Sequence, residues 1–248
     1  MRLFGLIGQP LTHSFSANYF NQKFAKEGIV DCQYQLFPLS SINELPALLE
    51  KYPNLKGLNV TSPFKQQVLS YLSNHSIPPG LDACNCIRIS NGKCEGFNTD
   101  WVGFEKSFLP LLQPKQQAAL VLGQGGAAKA VFFVLKKNGI PYSVVGRNNK
   151  PGVDLTYSQL TSADLQAHNI VINTTPLGTF PNLTELPPLP YEAIASSHVF
   201  YDLVYNPTET AFMKEGIRRG ARVKNGAEML QIQAEESWEI WNQRDNFS

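Results

Sequence analysis

The sequence predicts an α/β protein with two lobes, an N-terminal, mainly parallel α/β domain followed by a Rossmann-type domain. Strand-like apolar runs alternate with helix-like segments along its 248 residues, which is typical of parallel sheets covered by helices. At 118–126 an apolar run ends in a glycine-rich turn that opens a helical segment, as in nucleotide-binding sheets. A helical segment at 101–111, followed by Pro114, separates the two parts and is predicted to connect them.

Charge and hydropathy argue against nucleic-acid and membrane partners. The chain carries 21 basic and 20 acidic residues, a formal net charge of +1, and no basic run is interleaved with aromatic residues. The apolar run after Arg2 is broken by glycines and no apolar run reaches 18 residues, so we expect a cytoplasmic protein. The cysteines lack C-x-x-C spacing; we expect reduced thiols and no metal site at Cys32, Cys84, Cys86 and Cys94.

The first sixty residues alternate strands with helices. A helix is predicted over 15–27, with Gly28 as its end. Ser41 and Glu44 form a capping box that opens a second helix, which reaches about residue 52. Strands are predicted at 2–8, 33–37 and 55–60.

A lysine follows the third predicted strand. Ser62 has the character of an N-cap and Pro63 of a first helical residue, so a helix is predicted to begin here with Lys65 in its first turn. A cation at that end of a helix costs only about 0.3–1 kcal/mol, so Lys65 should stay largely protonated. Most lysines are solvated surface charges, and that is the alternative interpretation of Lys65.

A β-hairpin is predicted over 85–97, because Asn91-Gly92 is a preferred pair for a type I′ turn. The hairpin leads to Asp100 at the start of the 101–111 helix. Asp100 is either a helix N-cap or a functional carboxylate, and the sequence leaves both open.

The glycine-rich turn matches a nucleotide-binding fingerprint. Gly123, Gly125 and Ala128 fit G-x-G-x-x-G/A, directly after the strand at 118–122. The first N–H groups of the following helix lack intrahelical partners and lie at its positive end, so a dinucleotide pyrophosphate is the expected ligand. A tight turn without a ligand is the alternative.

The end of the next predicted strand, 142–145, bears on the choice of cofactor. In NAD-binding sheets an acidic residue usually stands here and binds the ribose 2′-hydroxyl. In this chain the strand is followed by Gly146 and Arg147, with Lys150 nearby. These cations suit a 2′-phosphate, so the residues favour NADP over NAD.

The remaining sequence continues the alternation. Strands are predicted at 169–173 and 198–203, and helices near 209–219 and at 227–241. The last helix carries an apolar stripe of Leu230, Ala234, Trp238 and Trp241. Ligands of parallel sheets bind beyond the carboxyl ends of the strands, so candidate site loops lie at Gly8, Thr61, Gly123, Thr174 and Leu203.

A dinucleotide site, a lysine and an interlobe carboxylate are the parts of an oxidoreductase that interconverts a carbonyl and an alcohol. The carbonyl carbon takes up hydride while its oxygen takes up a proton, which Lys65 can donate. This chemistry requires Lys65 to meet Asp100, as an ion-paired donor. Uncharged side chains suited to a polyhydroxylated substrate, although each alone is more often a cap or turn residue, are Ser14, Ser16, Asn59, Thr61, Asn85 and Gln233.

Taken together, these motifs resemble those of the shikimate dehydrogenase family along nearly the whole chain. Residues 8–16 match G-x-P-[IL]-x-H-S-x-S, residues 57–65 match G-x-N-V-T-x-P-x-K, and residues 96–100 match G-x-N-T-D. Further matches cover 123–127, 173–178, 202–207 and 225–234. Their occurrence in this order is highly specific.

The resemblance implies NADPH-dependent reduction of 3-dehydroshikimate to shikimate in chorismate and aromatic amino-acid biosynthesis. It implies Lys65 and Asp100 as the catalytic pair. It implies a substrate site formed by Ser14, Ser16, Asn59, Thr61, Asn85, Tyr205 and Gln233. It implies, together with the cation at Lys150, a cofactor site formed by Gly123, Gln124, Gly125, Gly126, Ala127, Arg147, Leu203, Gly226 and Met229.

The family organisation implies a discontinuous first domain. The substrate-binding and catalytic domain is expected over 1–100, completed by the C-terminal helix 226–248, and the Rossmann NADP-binding domain over 101–225. The expected partner is the small-molecule substrate, without nucleic acid or membrane, and the chain is expected to be a monomer or homodimer.

Two departures from the family pattern fall in the cofactor site. Gln124 stands where the glycine loop usually has Ala, and Gly146-Arg147-Asn148 stands where Asn-Arg-Thr is usual, so the grip on the 2′-phosphate is expected to differ. An NAD-preferring quinate/shikimate dehydrogenase is one alternative, disfavoured because no acidic residue ends the second strand. A non-catalytic NADP-binding sensor is another, disfavoured because Lys65 and Asp100 are both present.

Overall fold

The chain forms two compact units. A computed structural model describes residues 1–11, 14–114 and 118–243. The first unit comprises Met1–Val102 with Leu230–Ser248, and the second comprises Gly103–Met229. His13, which belongs to the matched motif 8–16, and the last five residues of the predicted segment 226–248 lie outside the described residues.

The first unit is built on a mixed six-stranded sheet. Its elements are β1 (Arg2–Gly8), α1 (Phe15–Glu27), β2 (Cys32–Pro38), α2 (Leu45–Lys51), β3 (Leu55–Val60), β4 (Asn74–His75), β5 (Cys86–Ser90), β6 (Lys93–Phe97) and the start of α3 (Asp100–Phe108). The strand order is β2-β1-β3-β5-β6-β4. The strands β1, β2 and β3 are parallel and the β5–β6 hairpin is antiparallel, so the predicted mainly parallel sheet is confirmed.

Local signals in the sequence set the helix ends of this unit. Ser14 caps α1 by accepting a hydrogen bond from the N–H of Ala17 at 3.2 Å, and Gly28 ends the helix in the left-handed conformation. The predicted capping box of Ser41 and Glu44 is present. It opens a 3₁₀ turn that leads into α2.

The helix predicted to begin at Ser62 is absent. Residues 62–66 form turns, and a 3₁₀ helix, Gln67–Tyr71, follows them. The N–H of Leu69, which in an α-helix would donate to the carbonyl of Lys65, donates to that of Gln66 at 3.2 Å. The Lys65 carbonyl accepts instead from the N–H of Cys84 at 2.7 Å. Lys65 therefore lies in a turn, and the helix-dipole argument does not apply to it.

The second unit is built on a six-stranded, wholly parallel sheet. Its elements are β7 (Ala119–Leu122), α4 (Gly126–Lys137), β8 (Tyr142–Gly146), β9 (Leu155–Thr156), α5 (Ser162–Ala167), β10 (Ile170–Asn173), β11 (Val199–Asp202), α6 (Ala211–Arg218) and β12 (Arg222–Asn225). The order β12-β11-β10-β7-β8-β9 is that of a Rossmann-type sheet, as predicted. The edge strands β9 and β12 and the short helix α5 were not predicted, because none carries a periodic apolar pattern.

The last helix, α7 (Ala227–Asn242), places three residues of its predicted apolar stripe, Ala234, Trp238 and Trp241, in the core of the first unit, whereas Leu230 is only half-buried and lies outside this core cluster. The ring of Trp241 stacks on Phe4 with centroids 4.9 Å apart, and its Nε1 donates to the carbonyl of Ile87 at 3.0 Å. Gly57 of β3 lies against this ring: a Cβ there would come within 2.3 Å of Trp241 Nε1. A bare backbone at Gly57 is therefore what allows the indole to lie on the sheet. No helix within the described ranges is both long enough and apolar enough to cross a membrane.

Candidate active site

An ion pair between Lys65 and Asp100 lies at the centre of the polar groups of the first unit. Lys65 Nζ is 2.6 Å from Asp100 Oδ2, and the two side chains are 19% and 13% exposed. Lys65 comes from the turn after β3, and Asp100 begins α3 directly after the β5–β6 hairpin. Their partial withdrawal from water strengthens the attraction between the charges. The pair can hold a proton donor in one position, and its catalytic role stays a prediction.

Asn85 holds the second oxygen of Asp100. Asn85 Nδ2 donates to Asp100 Oδ1 at 2.9 Å, and Asn85 Oδ1 accepts from the backbone N–H of Thr99 at 2.6 Å. The Asn85 side chain is almost fully buried, so water competes little for these hydrogen bonds. Because both carboxylate oxygens of Asp100 have partners, rotation of its carboxyl group is restricted.

Helix α7 extends this network with two side chains one turn apart. Gln233 Oε1 lies 3.4 Å from Thr99 Oγ1, and Ser237 Oγ lies 3.3 Å from the same hydroxyl. Asn59 Nδ2 donates to Ser237 Oγ at 3.0 Å. Ser237 was not predicted, although its spacing of four residues from Gln233 places both on one helix face.

Tyr34 connects the first loop to Asn59. The Tyr34 hydroxyl donates to Asn59 Oδ1 at 2.8 Å, and the side chain of Ser16 is hydrogen-bonded to Tyr34. Burial raises the pKa of Tyr34 well above its ordinary value, so this hydroxyl stays a donor. Ser14 is the N-cap of α1, and Thr61 lies half-buried just beyond the end of β3. Ser16 and Asn59 thus join the network, whereas Ser14 and Thr61 border it.

The thiol of Cys84 lies near the ion pair without being reactive. Burial raises the pKa of Cys84 to about 12, an effect that the charge of Lys65 only partly offsets. Its Sγ donates to the carbonyl of Cys86 at 3.3 Å. Among the residues that the structure describes, no group of three or more histidine, cysteine or acidic side chains could hold a metal ion.

A cavity of about 400 Å³ lies at the glycine-rich turn of the second unit, beyond the carboxyl ends of β7, β8 and β10. This is where parallel α/β sheets bind ligands. Its lining comprises Gly123, Gln124, Gly125, Val145, Gly146, Arg147, Asn148, Lys150, Tyr157, Thr174, Thr175, Pro176 and Leu177. Thr174 and Thr175 belong to the candidate site loop at Thr174, although neither is among the residues predicted to bind the cofactor.

The backbone of the glycine turn suits a phosphate group. Gly123 has a φ of +102°, and a Cβ on it would lie 2.9 Å from Thr174 Oγ1, so a side chain would not fit. Gly125 is the N-cap of α4 and supplies no capping side chain, and a Cβ at Gly125 would meet nothing within 4 Å. The N-terminus of α4 is therefore open to an anionic group, as a pyrophosphate requires.

Positive charge collects on the β8 side of this cavity. Arg147 and Lys150 are exposed and line it. The Tyr157 hydroxyl is buried and has no hydrogen-bond partner among the described residues. Burial raises the pKa of Tyr157 to about 12, an effect that the charge of Arg147 partly offsets. The backbone N–H groups of the glycine turn, the cations of Arg147 and Lys150, and the neutral phenol of Tyr157 together suit a dinucleotide with a 2′-phosphate.

Comparison with known proteins identifies the family. Residues 6–87 match the family model described as the shikimate dehydrogenase substrate binding domain. A Clostridium beijerinckii protein named shikimate dehydrogenase (NADP+) is 36% identical, over 98% of this chain and 93% of that protein. The chain belongs to the shikimate dehydrogenase family.

Solved structures agree with this family over nearly the whole chain. Shikimate 5-dehydrogenase of Thermus thermophilus, in complex with NADP(H) and shikimate, has a TM-score of 0.83 at 27% identity, covering 98% of this chain and 94% of that one. Quinate dehydrogenase of Corynebacterium glutamicum, in complex with NAD, has a TM-score of 0.84 at 25% identity, covering 97% and 93%. The predicted family and two-part α/β fold are confirmed.

Several residues that are predicted to bind the cofactor do not line the cavity at the glycine-rich turn. Gly126 and Ala127 are exposed in the first turn of α4. Leu203 and Gly226 pack together, since a Cβ at Gly226 would lie 2.3 Å from the Leu203 carbonyl oxygen, and Met229 is buried. Tyr205, predicted for the substrate, follows β11 in the second unit, and burial raises its pKa.

Proposed function

We propose that this chain reduces 3-dehydroshikimate to shikimate with NADPH, reversibly, in the biosynthesis of chorismate and aromatic amino acids. The observation that carries the proposal is the Lys65–Asp100 ion pair at 2.6 Å, fixed by a buried polar network. Membership of a family of NADP-dependent relatives points to the substrate and the reaction. The cations at the cavity of the second unit support NADP as the cofactor.

In this mechanism Lys65 moves the proton. Its ammonium group donates a proton to the substrate carbonyl oxygen as the carbonyl carbon takes up hydride, and in the reverse direction the amine accepts the proton of the hydroxyl. Asp100 holds Lys65 in place through the ion pair, and Asn85 fixes Asp100. Because Lys65 remains 19% exposed, water can return the proton after each turnover.

NADPH, when bound, supplies the hydride. Its pyrophosphate would be held at the N-terminus of α4 by backbone N–H groups of the segment Gly123, Gln124, Gly125, Gly126 and Ala127. Its 2′-phosphate would be held by Arg147 and Lys150, two cations that carry the charge this group needs. The rest of the cofactor would be bound by Leu203, Gly226 and Met229. We infer accordingly that residues 101–225 form the NADP-binding domain, and that residues 1–100 with 226–248 form the substrate domain.

The polar side chains of the first unit suit a hydroxylated carboxylic acid. Ser14 Oγ accepts the capping hydrogen bond from Ala17, which leaves its O–H to donate to a substrate carboxylate, with Ser16 as second donor. The ring hydroxyls would be bound by Asn59, Thr61, Asn85, Tyr205 and Gln233. Hydrogen bonds from Tyr34 to Asn59 and from Asn59 to Ser237 fix the Asn59 amide before substrate arrives.

We infer that the protein works in the cytoplasm on this small-molecule substrate, as a monomer or homodimer. All four cysteines are free thiols, which suits a reducing compartment.

The test is an assay of NADP+ reduction, followed at the absorbance of the reduced nicotinamide. The purified chain should reduce NADP+ with shikimate, more slowly with quinate, and more slowly when NAD+ replaces NADP+. Faster reduction of NAD+ with quinate would assign the chain to the quinate dehydrogenases instead. NADP+ binding without turnover on either substrate would indicate a sensor.

A further inference from the structure

We propose that Gln124 is a positioning residue that affects the choice of cofactor. Its side chain holds the turn that contains Lys150 in place, and this positions Lys150 and the neighbouring Arg147 to bind the 2′-phosphate. The inference rests on the proposed use of NADP. Gln124 is predicted from the sequence to contact the pyrophosphate, whereas here its side chain affects the binding of the 2′-phosphate of the same cofactor.

The loop after β8 ends in a defined β-turn over residues 150–153. Val153 N–H donates to the Lys150 carbonyl at 3.0 Å, Pro151 is second in the turn, and Gly152 is third with a φ of +82°. These are the features of a type II turn, which needs glycine at its third position. The turn leaves the Pro151 carbonyl free to accept a hydrogen bond from elsewhere.

Gln124 supplies that hydrogen bond from the glycine-rich turn. Its Nε2 donates to the Pro151 carbonyl oxygen at 3.3 Å. The contact ties the turn after β7 to the turn after β8, and Gln124 and Lys150 both line the cavity. The alanine usual at position 124 in the family could not make this bond, since it has no donor.

The second departure from the family pattern acts on the same loop. Gly146 ends β8, and a Cβ on it would lie 2.7 Å from Val153 Cγ2. Val153 therefore occupies the space that the usual asparagine side chain would need at this position. The turn is thus held from two sides, by the packing of Val153 on Gly146 and by the hydrogen bond from Gln124.

Loosening this turn should weaken recognition of the 2′-phosphate selectively. Lys150 is exposed and belongs to the turn, and Arg147 stands three residues before it on the same short loop. An ion contact to phosphate depends on the placement of the cation, so a mobile turn lowers the attraction. The rest of the adenosine moiety, which lacks the extra phosphate, should be affected less.

Calorimetric titration with two ligands tests the proposal. Adenosine 2′,5′-bisphosphate and 5′-AMP differ in the 2′-phosphate alone, so the ratio of their dissociation constants measures its recognition. Gln124→Met keeps the side-chain volume and removes the donor. It should weaken bisphosphate binding about threefold to tenfold, the effect of one exposed hydrogen bond, and change 5′-AMP binding less than about twofold. Gly152→Ala, which strains the turn, should act in the same direction, and Arg147→Ala should give a larger loss.

A matched control comes from the same unit. Gln159→Met also removes side-chain hydrogen bonds, those that Gln159 Oε1 accepts from the N–H and the hydroxyl of Thr156, but Gln159 is not part of the cavity lining. It should leave both dissociation constants within about twofold of wild type. Melting temperatures identify any variant that fails to fold. If Gln124→Met fails to fold, Gln124→Ala replaces it.

Two results for Gln124→Met would overturn the inference while leaving the proposed function intact. Equal losses for both ligands would assign Gln124 to the shared phosphate, and unchanged binding would remove it from recognition. A wild-type protein that binds the bisphosphate no more tightly than 5′-AMP would overturn NADP as the cofactor and this inference with it.

Discussion

Asp100 presents its two carboxylate oxygens to different partners. Oδ2 pairs with Lys65 and Oδ1 accepts from Asn85, so the carboxyl group is held from both sides. Removing one partner of a half-buried ion pair leaves the other charge poorly compensated, and this costs more than at the surface. At the scale of single residues, we therefore expect the proposed proton transfer by Lys65 to depend on the charge of Asp100.

Asp100→Asn keeps the shape of the side chain and removes its charge. We expect kcat for shikimate oxidation to fall about 10²-fold to 10⁴-fold, the usual contribution of a positioned acid or base. Glu95→Gln is the matched control, because Glu95 and Arg88 form another ion pair of the first unit, at 2.5 Å and with similar burial. It should leave kcat within about threefold. An Asp100→Asn variant with wild-type kcat would separate this carboxylate from catalysis.

Asp202 makes stability depend on pH. Burial raises the pKa of Asp202 to about 6, although Thr210, the Val204 N–H and Asn173 all donate to its carboxylate. An unfolded aspartate has a pKa near 3.9, so between about pH 4 and pH 6 the folded chain binds more protons than the unfolded chain. The stability that protonated Asp202 provides is complete below about pH 4 and is lost as the pH rises through about 6.

Asp202→Asn removes this titration. As the pH rises from 4 to 7, the stability of the variant relative to wild type, measured as the free energy of unfolding, should increase by about 1–3 kcal/mol. Urea unfolding of both proteins across that range measures the difference. A difference that stays constant, or that changes in the opposite direction, would show that the folded-state pKa of Asp202 is not raised.

At the scale of secondary-structure elements, features set by local sequence were predicted correctly, whereas a feature that depends on a contact distant in the chain was not. The hairpin turn at Asn91-Gly92 has φ values of +50° and +74°, both left-handed, as its two residue types indicate. The helix predicted from Ser62 is absent, and the carbonyl of Lys65 accepts a hydrogen bond from the distant Cys84 N–H while the Leu69 N–H donates to Gln66. No pattern near Lys65 in the sequence reveals that partner.

The contact between β3 and α7 gives a prediction at this scale. Gly57→Ala should destabilise the first unit by about 1–3 kcal/mol, because the new Cβ would overlap the Trp241 ring and the β3 backbone is held between β1 and β5. Trp241→Phe offers a smaller ring, so the same alanine should cost less in that background. Denaturant unfolding of the two single variants and the double variant measures this coupling. Equal costs of Gly57→Ala in both backgrounds would show that the indole is not what excludes a side chain.

At the scale of the whole molecule, the sequence predicted the residues that stand on loops after strands. Lys65 and Asp100 could be selected because each lies in a matched motif beside an element end, and Asn85 because it is an uncharged hydrogen-bonding residue at the start of the predicted hairpin. Tyr34 and Ser237 could not, because their contacts with Asn59 depend on the order of strands β2-β1-β3 and on the return of α7 to this sheet. The cavity lining beyond the glycine turn likewise depends on β10 lying next to β7.

The two units divide the predicted chemistry between them. The first holds an ion-paired lysine in a buried polar network, and the second holds a glycine turn with two cations. Neither set alone could reduce a carbonyl, since one would move a proton and the other would hold the hydride donor. We therefore propose that Lys65 moves the proton in a reaction for which NADPH supplies the hydride.

Steady-state turnover of Lys65→Ala, measured together with its NADP+ affinity, tests this claim most directly. We predict that kcat for shikimate oxidation falls at least about 10³-fold, because the proton acceptor is gone, while the dissociation constant of NADP+ stays within about threefold of wild type. A Lys65→Ala variant that turns over shikimate at the wild-type rate would contradict the account.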